Sequence, residues 1–518
     1  STSADIWQAE SMNAAGRITS QIQGNSNSGN MTLHSSFKYD KLQNVTEITV
    51  GDKIGQLLTF NPSKHLIYTY DSTNNLNDQK RDLIRVLGIP GISKDAVDQY
   101  QYDPLNRLTN ALDFVNDNIL QISEVPRYEK LYAYNGIGNI TNKSDLNAST
   151  TTNYHYPLSG QGLHAVFGVD DNQAGYPFTY DANGNMLAGR DFQNNKTRTI
   201  DWFSFNKPKK IMESQGTSTQ SLALTYDSYR DKIKQVFATG IATTTTEYVG
   251  SIFEKFINAS GSAQSKYYVF GNSPNPVAMY TSGNGTSSMR YFHYDNLGSL
   301  TLITNENAGN VEDLSFDVYG VRRNADWTVA TSTITSLTNH GFTNQEQIDN
   351  FGLIDMKGRM YDPKIGRFIS ADPFIVDPFM TESLSRYSYV YNSPTNFIDP
   401  TGFQVKGGSG PVWNRCTTGN CGGGGGGIAG GIFSGIFNSV VSLSGQEKQL
   451  PAPSNLNNGS MVMKNNVAKT DATATSKTTK PIPRPLTPKE RADFQAKMDK
   501  LRVKKFLEQL EKSRGTIK

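Results

Sequence analysis

The chain of 518 residues contains little cysteine and little histidine, which limits the chemistry open to its C-terminal part. Its two cysteines, Cys416 and Cys421, are too few for a metal site; a disulfide, a reactive thiol or two idle thiols remain open. Zinc deaminases and histidine-dependent metal nucleases need imidazole or clustered thiolate ligands, so residues 404–518 exclude both classes. The sequence predicts no metal and no cofactor. All six histidines precede that segment: His34, His65, His155, His164, His293 and His340.

Long apolar runs are also missing. Hydrophobic residues make up 36% of the chain beside 46 glycines, which favours a thin sheet structure over a thick core. Residues 428–445, IAGGIFSGIFNSVVSLSG, are interrupted by glycine and fall short of the roughly 18 uninterrupted residues of a membrane span. We expect a flexible linker with a weakly structured segment, a membrane-active or chaperone-like role being the alternative. The first ten residues predict no signal peptide, and the sequence is compatible with a start inside a longer protein.

Tyrosine followed by Asp or Asn recurs along the first 300 residues, with first intervals of 31, 32 and 32 residues. A fixed period of this size indicates stacked supersecondary units, whereas unrelated hairpins are the simpler alternative. In residues 132–141, YAYNGIGNIT, and 178–187, FTYDANGNML, alternating apolar residues flank a Gly-Asn or Asn-Gly turn, as in β-hairpins. We expect each tyrosine to pack on the next hairpin and its Asp or Asn to bond turn amides. The dipeptides start at Tyr39, Tyr70, Tyr102, Tyr134, Tyr180, Tyr226 and Tyr294.

Three later segments carry a resemblance to a known family. Residues 291–323 (YFHYDNLGSLTLITNENAGNVEDLSFDVYGVRR), 343–373 (TNQEQIDNFGLIDMKGRMYDPKIGRFISADP) and 386–402 (RYSYVYNSPTNFIDPTG) resemble the last repeats and the core of RHS/YD-repeat proteins. The resemblance covers about residues 30–403, and it extends to the insecticidal toxin complex C proteins. It implies a mainly β fold, a spiralling YD-repeat β-sheet shell, or cocoon, that is closed by the RHS core and encloses the C-terminal tail.

Charge and composition change at the end of this segment. Residues 1–403 carry a net charge of −8 and residues 404–518 carry +11, while all 25 tyrosines precede residue 392. If residues 1–403 form an acidic shell around the basic residues 404–518, the two segments attract each other electrostatically. We therefore divide the chain into a YD-repeat shell (1–330), an RHS-associated core (331–403), a Gly-rich and polar linker or variable region (404–485) and a basic amphipathic helix of a C-terminal effector (486–518).

The last of these regions has clear helix signals. Three residues predict a helix from about Pro488 to Ser513: Thr487 as N-cap, Pro488 at the first helical position and Glu490, which completes a capping box with Thr487. Its basic middle allows nucleic acid or anionic lipid as partner through phosphate attraction. Enclosure in an acidic shell would, however, also explain the basic charge of the tail, without an external partner.

Two Asp-Pro pairs provide candidate chemistry at the boundary. Asp372-Pro373 and Asp399-Pro400 lie 27 positions apart, and the strand-like RYSYVYN between them could return the chain so that they meet. Two close carboxylates share a proton, so that one activates water while the other protonates a leaving amide. Asp377 is a rival carboxylate. The alternative is that each Asp only caps a turn before proline.

The family resemblance implies more about this boundary. It implies an aspartyl-type self-cleavage between Phe403 and Gln404, with Asp372 and Asp399 as catalytic carboxylates and Arg359 assisting by charging a carboxylate or stabilising an oxyanion. Arg359 and Arg367 could equally be ion pairs that line the shell. The chain departs from the family pattern by Ile375 in place of glycine and by Phe403 in place of leucine or tyrosine. The remaining motif residues are Tyr361, Asp362, Gly366, Arg367, Pro400 and Gly402.

The resemblance finally implies a function for the whole chain. We expect the C-terminal part of a polymorphic toxin of bacterial origin, secreted or delivered to a target cell in interbacterial competition or host intoxication. Its partners would be its own tail as enclosed cargo, an N-terminal delivery domain or secretion-system component, and an immunity protein. The competing interpretation is a non-enzymatic extracellular adhesion or carbohydrate-binding protein with an uncleaved tether.

Overall fold

Strands that alternate buried and exposed side chains form two large antiparallel sheets. In one strand Ile211 is fully buried while its neighbour Met212 is 37% exposed. Ile211 lies opposite Ile200 on one side and Leu222 on the other, so that a continuous apolar row crosses three strands. This period of two is the one that the hairpin motifs of the sequence predict.

The computed structural model describes residues 6–24, 33–54, 59–82, 94–117, 126–146, 154–157, 162–169, 178–271, 273–283, 285–306, 309–330, 333–375 and 381–407. All of them belong to one unit, Ser1–Gly422. The predicted linker beyond residue 407, Cys416, Cys421, the apolar segment 428–445 and the basic C-terminal helix lie outside the described residues. So does Asp377.

The first large sheet has ten strands in chain order. They are β1 (Trp7–Met12), β2 (Ile18–Gln23), β3 (Leu33–Tyr39), β4 (Val45–Ile54), β5 (Thr59–Tyr70), β6 (Leu76–Asp82), β7 (Lys94–Tyr102), β8 (Leu108–Asp117), β9 (Tyr128–Tyr134) and β10 (Ile140–Lys143). A separate pair comes next, β11 (Tyr154–His155) with β12 (Gly168–Val169).

The second large sheet has thirteen strands, again in chain order. They are β13 (Thr179–Tyr180), β14 (Met186–Asp191), β15 (Lys196–Trp202), β16 (Pro208–Gln215), β17 (Ser218–Tyr226), β18 (Lys232–Thr239), β19 (Ala242–Val249), β20 (Phe253–Ile257), β21 (Ala263–Phe270), β22 (Pro276–Gly283), β23 (Thr286–Tyr294), β24 (Leu300–Thr304) and β25 (Asn310–Asp313).

Short elements make up the segment after residue 314. The strands are β26 (Ser315–Phe316) with β27 (Arg322–Arg323), the four-stranded sheet β28 (Glu346–Ile348), β29 (Leu353–Asp355), β30 (Met360–Asp362) and β31 (Arg367–Phe368), and the pair β32 (Phe397–Ile398) with β33 (Lys406–Gly407). Five 3-10 helices occur in the described chain: Ser144–Leu146, Phe342–Asn344, Asp349–Phe351, Thr381–Leu384 and Val390–Asn392. The described part of the chain contains no α-helix.

The acidic or amide residue of each Tyr dipeptide holds the turn that comes after it, as predicted. The Asp71 Oδ1 atom accepts hydrogen bonds from the amides of Thr73 and Asn75, each at 2.8 Å. Such bonds satisfy the backbone amides of the turn, which have no hydrogen-bond partner on a neighbouring strand. The same pair of bonds, to residues two and four positions later, forms at Asp103, Asn135, Asp181, Asp227 and Asp295.

The hydroxyl of the dipeptide tyrosine bonds to the preceding hairpin, a contact that the sequence did not predict; packing of the tyrosine on the next hairpin stays a prediction. The Tyr70 hydroxyl donates to the carbonyl of Val45 at 2.8 Å, and the Tyr102 hydroxyl donates to that of Leu76 at 2.6 Å. Antiparallel order places the end of one strand beside the start of the strand before it, which brings this carbonyl within reach. Equivalent bonds run from Tyr39 to Ile18, Tyr134 to Leu108, Tyr180 to Val166 and Tyr294 to Pro276.

The segment after residue 314 packs on both large sheets. Its side chains, including Phe351 and Tyr361, share one apolar cluster with Leu66 of the first sheet and Ile211 of the second. Buried ion pairs reinforce the contact, for example Arg198 of β15 with Asp362, where nitrogen and oxygen are 2.8 Å apart. This contiguous core is larger than the low hydrophobic content suggested, because the segment itself supplies many of its apolar side chains.

Candidate carboxylate and arginine site

Three neighbouring turns carry the candidate residues. Arg359 precedes β30, Asp372 comes after β31, and Asp399 comes after β32. Ile398 of β32 pairs with Lys406 of β33, so the chain between them folds back and returns residue 404 to the side of Asp399. The expected return of the chain between the two Asp-Pro pairs is also present, since both Asp372 and Asp399 contact Arg359.

The guanidinium of Arg359 bridges the two carboxylates. Its Nη2 atom lies 2.9 Å from Asp372 Oδ2 and 3.5 Å from Asp399 Oδ2. Its Nη1 atom donates to the Arg386 carbonyl at 3.0 Å, and its Nε donates to the Gly402 carbonyl. The structure thus brings together the three residues proposed as catalytic. The guanidinium of Arg359 lies between the two carboxylates and contacts both.

Asp399 lies against the peptide bond predicted to be cut. Its Oδ1 atom accepts hydrogen bonds from the amides of Gln404 at 2.9 Å, Phe403 at 3.0 Å and Thr401 at 3.3 Å. The Gln404 amide nitrogen belongs to the Phe403 to Gln404 peptide, so the carboxyl group of Asp399 contacts that peptide directly. Gln345, which sequence reasoning missed, also holds Asp399. Its side-chain amide donates a hydrogen bond to the Asp399 backbone carbonyl at 3.1 Å.

Asp372 is held by its own turn and by Arg386. Its Oδ1 atom accepts a hydrogen bond from the Phe374 amide at 2.9 Å, and its backbone amide donates to the Arg386 carbonyl at 2.9 Å. In both Asp372 and Asp399, therefore, Oδ1 caps a turn while Oδ2 faces Arg359. In Asp372 the turn-capping oxygen and the oxygen that faces Arg359 are different atoms, whereas in Asp399 the turn-capping Oδ1 is also the atom that contacts the Gln404 amide.

The carbonyl that Arg359 holds is one position upstream of the expected one. Arg359 Nε binds the Gly402 carbonyl, and the Phe403 amide of the same peptide bond donates to Asp399. The Gly402 to Phe403 peptide is thus contacted at both ends, whereas the Phe403 to Gln404 peptide meets Asp399 through its amide. Both peptide bonds thus contact the cluster, the first through its carbonyl and its amide and the second through its amide.

Two glycines allow this close packing. Gly402 has φ +75°, and a Cβ there would lie 2.6 Å from the Met356 carbonyl oxygen and 2.8 Å from the Arg359 amide. A Cβ on Gly358 would lie 2.5 Å from both the Phe403 ring and the Thr401 carbonyl oxygen. Neither position has room for a side chain.

Burial sets the protonation of the three groups. It raises the pKa of Asp399 and of Asp372 from the ordinary value of an Asp carboxyl, and the charge of Arg359 opposes both shifts. Burial also lowers the pKa of Arg359, against the attraction of the two carboxylates. Removal from water disfavours every charge here, so one carboxyl retains a proton to a higher pH than an exposed Asp would.

The other motif residues form the frame around the site. Tyr361 donates to the Tyr319 carbonyl at 3.0 Å, and Gly366, with φ +67°, leaves room for the Tyr319 ring. Arg367 donates to the hydroxyl of Tyr156 at 3.2 Å, which ties the site segment to the repeats. Asp362 binds Arg198 as described, and the Pro400 carbonyl accepts a hydrogen bond from Lys357 Nζ at 3.3 Å.

Fold and site together define an antiparallel β-repeat protein whose last described segment carries a buried carboxylate and arginine cluster. No family model matches the chain. Over 281 residues, 53% of this chain, it is 24% identical to the tRNA3(Ser)-specific nuclease WapA of Bacillus spizizenii (strain DSM 15029 / JCM 12233 / NBRC 101239 / NRRL B-23049 / TU-B-10). It is also 24% identical, over 280 residues and 53% of this chain, to the tRNA nuclease WapA of Bacillus subtilis (strain 168). The matched part spans 11% of each of these relatives.

A shorter match and two solved structures complete the comparison. Over 61 residues, 12% of this chain and 2% of the relative, the chain is 43% identical to salivary gland surface protein 1 of Aedes aegypti. The crystal structure of TcdB2-TccC3-Cdc42 matches 76% of this chain and 19% of its own chain. The identity is 15% and the TM-score is 0.47. The structure of the Photorhabdus luminescens Tc holotoxin pore matches 77% of this chain and 18% of its own chain, with 15% identity and a TM-score of 0.48. Among the described residues, no helix is long and apolar enough to cross a membrane.

Proposed function

We propose that the chain is the C-terminal part of an RHS-repeat polymorphic toxin whose core cuts its own chain between Phe403 and Gln404. The observation that carries this proposal is the contact of Asp399 Oδ1 with the Gln404 amide, at 2.9 Å, while Arg359 links Asp399 to Asp372. The similarity to the WapA nucleases over half of the chain supports membership of a toxin family of this type.

The two carboxyl groups have different roles in this reaction. Asp372, ionised, takes a proton from a water molecule whose oxygen forms a bond to the Phe403 carbonyl carbon. Once water has added to the Phe403 carbonyl carbon, the Gln404 nitrogen has a free lone pair, and Asp399, protonated, donates its proton to that nitrogen as the carbon to nitrogen bond breaks. Arg359 lies closer to Asp372 than to Asp399, at 2.9 Å against 3.5 Å, and therefore favours the ionised form of Asp372 while it fixes both carboxyl groups. Burial raises the pKa of Asp399, which favours its protonated form. The products are a new carboxylate on Phe403 and a new amine on Gln404.

The cut would not by itself free the tail. Residues Lys406–Gly407 pair with Phe397–Ile398, which lies before the cut. The net charge of −8 before residue 404 and of +11 after it adds long-range attraction. We therefore propose that the β-repeat part encloses and retains the cut tail as its cargo until delivery. The targets proposed for the tail are nucleic acid or an anionic lipid, and an immunity protein would protect the producing cell.

Expression of the full chain with subsequent denaturing gel electrophoresis and intact mass spectrometry tests the proposal. We expect two fragments whose masses sum to the full chain plus one water. Their exact masses also separate a cut after Phe403 from a cut after Gly402, since these differ by one phenylalanine. A single species at the full 57.1 kDa would overturn self-cleavage.

A second function is supported by one observation, the 43% identity to a salivary gland surface protein over 61 residues. In that case the repeats bind a carbohydrate or a protein partner and the tail is only a tether. Expression of residues 404–518 alone in a bacterial cytoplasm separates the two functions. Growth arrest would support an effector, whereas an intact, soluble and harmless peptide would support the tether.

A further inference from the structure

Four side chains pack against one another in a row beside the predicted cut site. The Arg359 guanidinium lies 3.6 Å from the centre of the Phe368 ring and 5.6 Å from the centre of the Phe403 ring. The Phe403 ring in turn meets Phe374 edge to face, with ring centres 5.9 Å apart. We call these residues, Phe368, Arg359, Phe403 and Phe374, the aromatic stack.

The inner side of the stack is closely packed. Phe368 is 2% exposed, and the Phe403 ring rests on the backbone of Gly358 so closely that a Cβ would be 2.5 Å from it. The ring therefore cannot move further inward. On its outer side it is limited by Phe374, which is 61% exposed. Such exposure is unusual for a phenylalanine and offers little to the stability of the fold.

We propose that Phe374 is a positioning residue for self-cleavage, which acts by holding the Phe403 ring in the aromatic stack. This inference rests on the proposed function and adds a determinant to it. With the ring fixed, the amides of Phe403 and Gln404 stay on Asp399 Oδ1, and the ring stays beside the Arg359 guanidinium. Without Phe374, the ring is free to swing outward and the peptide leaves the carboxyl group.

The stack also defines which side chains position 403 accepts. A cation and a ring edge together favour a flat or bulky apolar group over a small or cationic one. We therefore expect Phe403→Tyr and Phe403→Leu to be cut, and Phe403→Ala and Phe403→Lys to be cut slowly or not at all. The selectivity should depend on Phe374.

The test compares Phe374→Ala with Ile375→Ala. Ile375 is the adjacent residue and is 48% exposed, which makes it a matched control. After refolding from urea, we expect Phe374→Ala to be cut roughly fivefold to tenfold more slowly than wild type, as the loss of one aromatic pair predicts. Intact masses should show part of the cut at the neighbouring Gly402 to Phe403 bond. We expect Ile375→Ala to match wild type in both rate and position.

A second measurement does not need cleavage. In an uncut Asp372→Asn background, hydrogen exchange at the Phe403 and Gln404 amides should be at least about tenfold faster in Phe374→Ala than in Ile375→Ala. Equal rates, equal cut positions and equal exchange in the two variants would overturn the inference. If wild type itself stays uncut, self-cleavage fails, and the exchange comparison alone decides whether Phe374 positions this peptide.

Discussion

The carboxylate of Asp399 accepts a hydrogen bond from the backbone amide of Gln404, at 2.9 Å. The acid and the atom that would leave are thus in contact before any reaction occurs, within one folded chain. Proximity of this kind removes the entropy cost of bringing a catalyst to its substrate. Cleavage should accordingly occur once the chain has folded, without any added factor.

Replacing either carboxylate by its amide should leave the chain uncut but folded. Asp372→Asn and Asp399→Asn keep the turn-capping Oδ1 atom and remove the acid or the base. Asp103→Asn is the control, since Asp103 also precedes a proline and also caps a turn through Oδ1. Gels and circular dichroism measure cutting and folding. Continued cutting by both site variants would remove the carboxylate pair from the mechanism.

Arginine at position 359 should not be replaceable by lysine. Its three nitrogens serve Asp372, Asp399 and two backbone carbonyls at once, and a single ammonium cannot span these positions. We expect Arg359→Lys to slow cutting by about tenfold or more. The control is Arg322→Lys, because Arg322 is also buried but pairs with one carboxylate, Asp349, at 2.9 Å. A wild-type rate in Arg359→Lys would mean that only its charge matters.

The rate of cutting should fall on both sides of a pH optimum. Asp372 must be ionised and Asp399 protonated, and burial raises the pKa of both groups. The descending limb at higher pH should therefore lie above the range of an ordinary carboxyl, which is near pH 4. Refolding uncut chain from urea at a series of pH values gives the profile. A rate that is independent of pH between about 4 and 8 would contradict the assignment.

Acid should destabilise the fold through His293, which lies 3% exposed beside Thr304. Burial lowers the pKa of His293 to about 3. Since the unfolded chain binds this proton near pH 6.5, stability is full above that pH and is lost as the pH falls towards 3. The loss amounts to about 2 to 3 kcal/mol near pH 4.5.

Urea unfolding of wild type and His293→Gln at about pH 7 and pH 4.5 measures this contribution. The variant should lose less stability on acidification. Buried carboxyls such as Asp295, whose pKa burial raises to about 6, titrate in the opposite sense, so only the difference between the two proteins isolates His293. An equal loss in both proteins would show that His293 is protonated in the fold.

The local parts of the structure could be predicted from the sequence. The hairpins, the turn bonds of residues such as Asp71 and Asp181, and the meeting of Arg359 with both carboxylates depend on short-range turn chemistry or on the family resemblance. The hydroxyl bonds of the tyrosines to the preceding hairpin were not predicted, because they depend on which neighbouring strand passes beneath the ring. Neither Phe374 nor Gln345 could be found from sequence patterns, since their contacts arise only when distant turns pack together.

The bond from Tyr70 to Val45, repeated at Tyr102, Tyr134 and elsewhere, joins each unit to its immediate predecessor. A gene duplication that inserts one whole unit would preserve every such link, and so would a deletion of one. Modular growth of this kind would let evolution change the length of the protein while the terminal cluster of acids and arginine stays as it is.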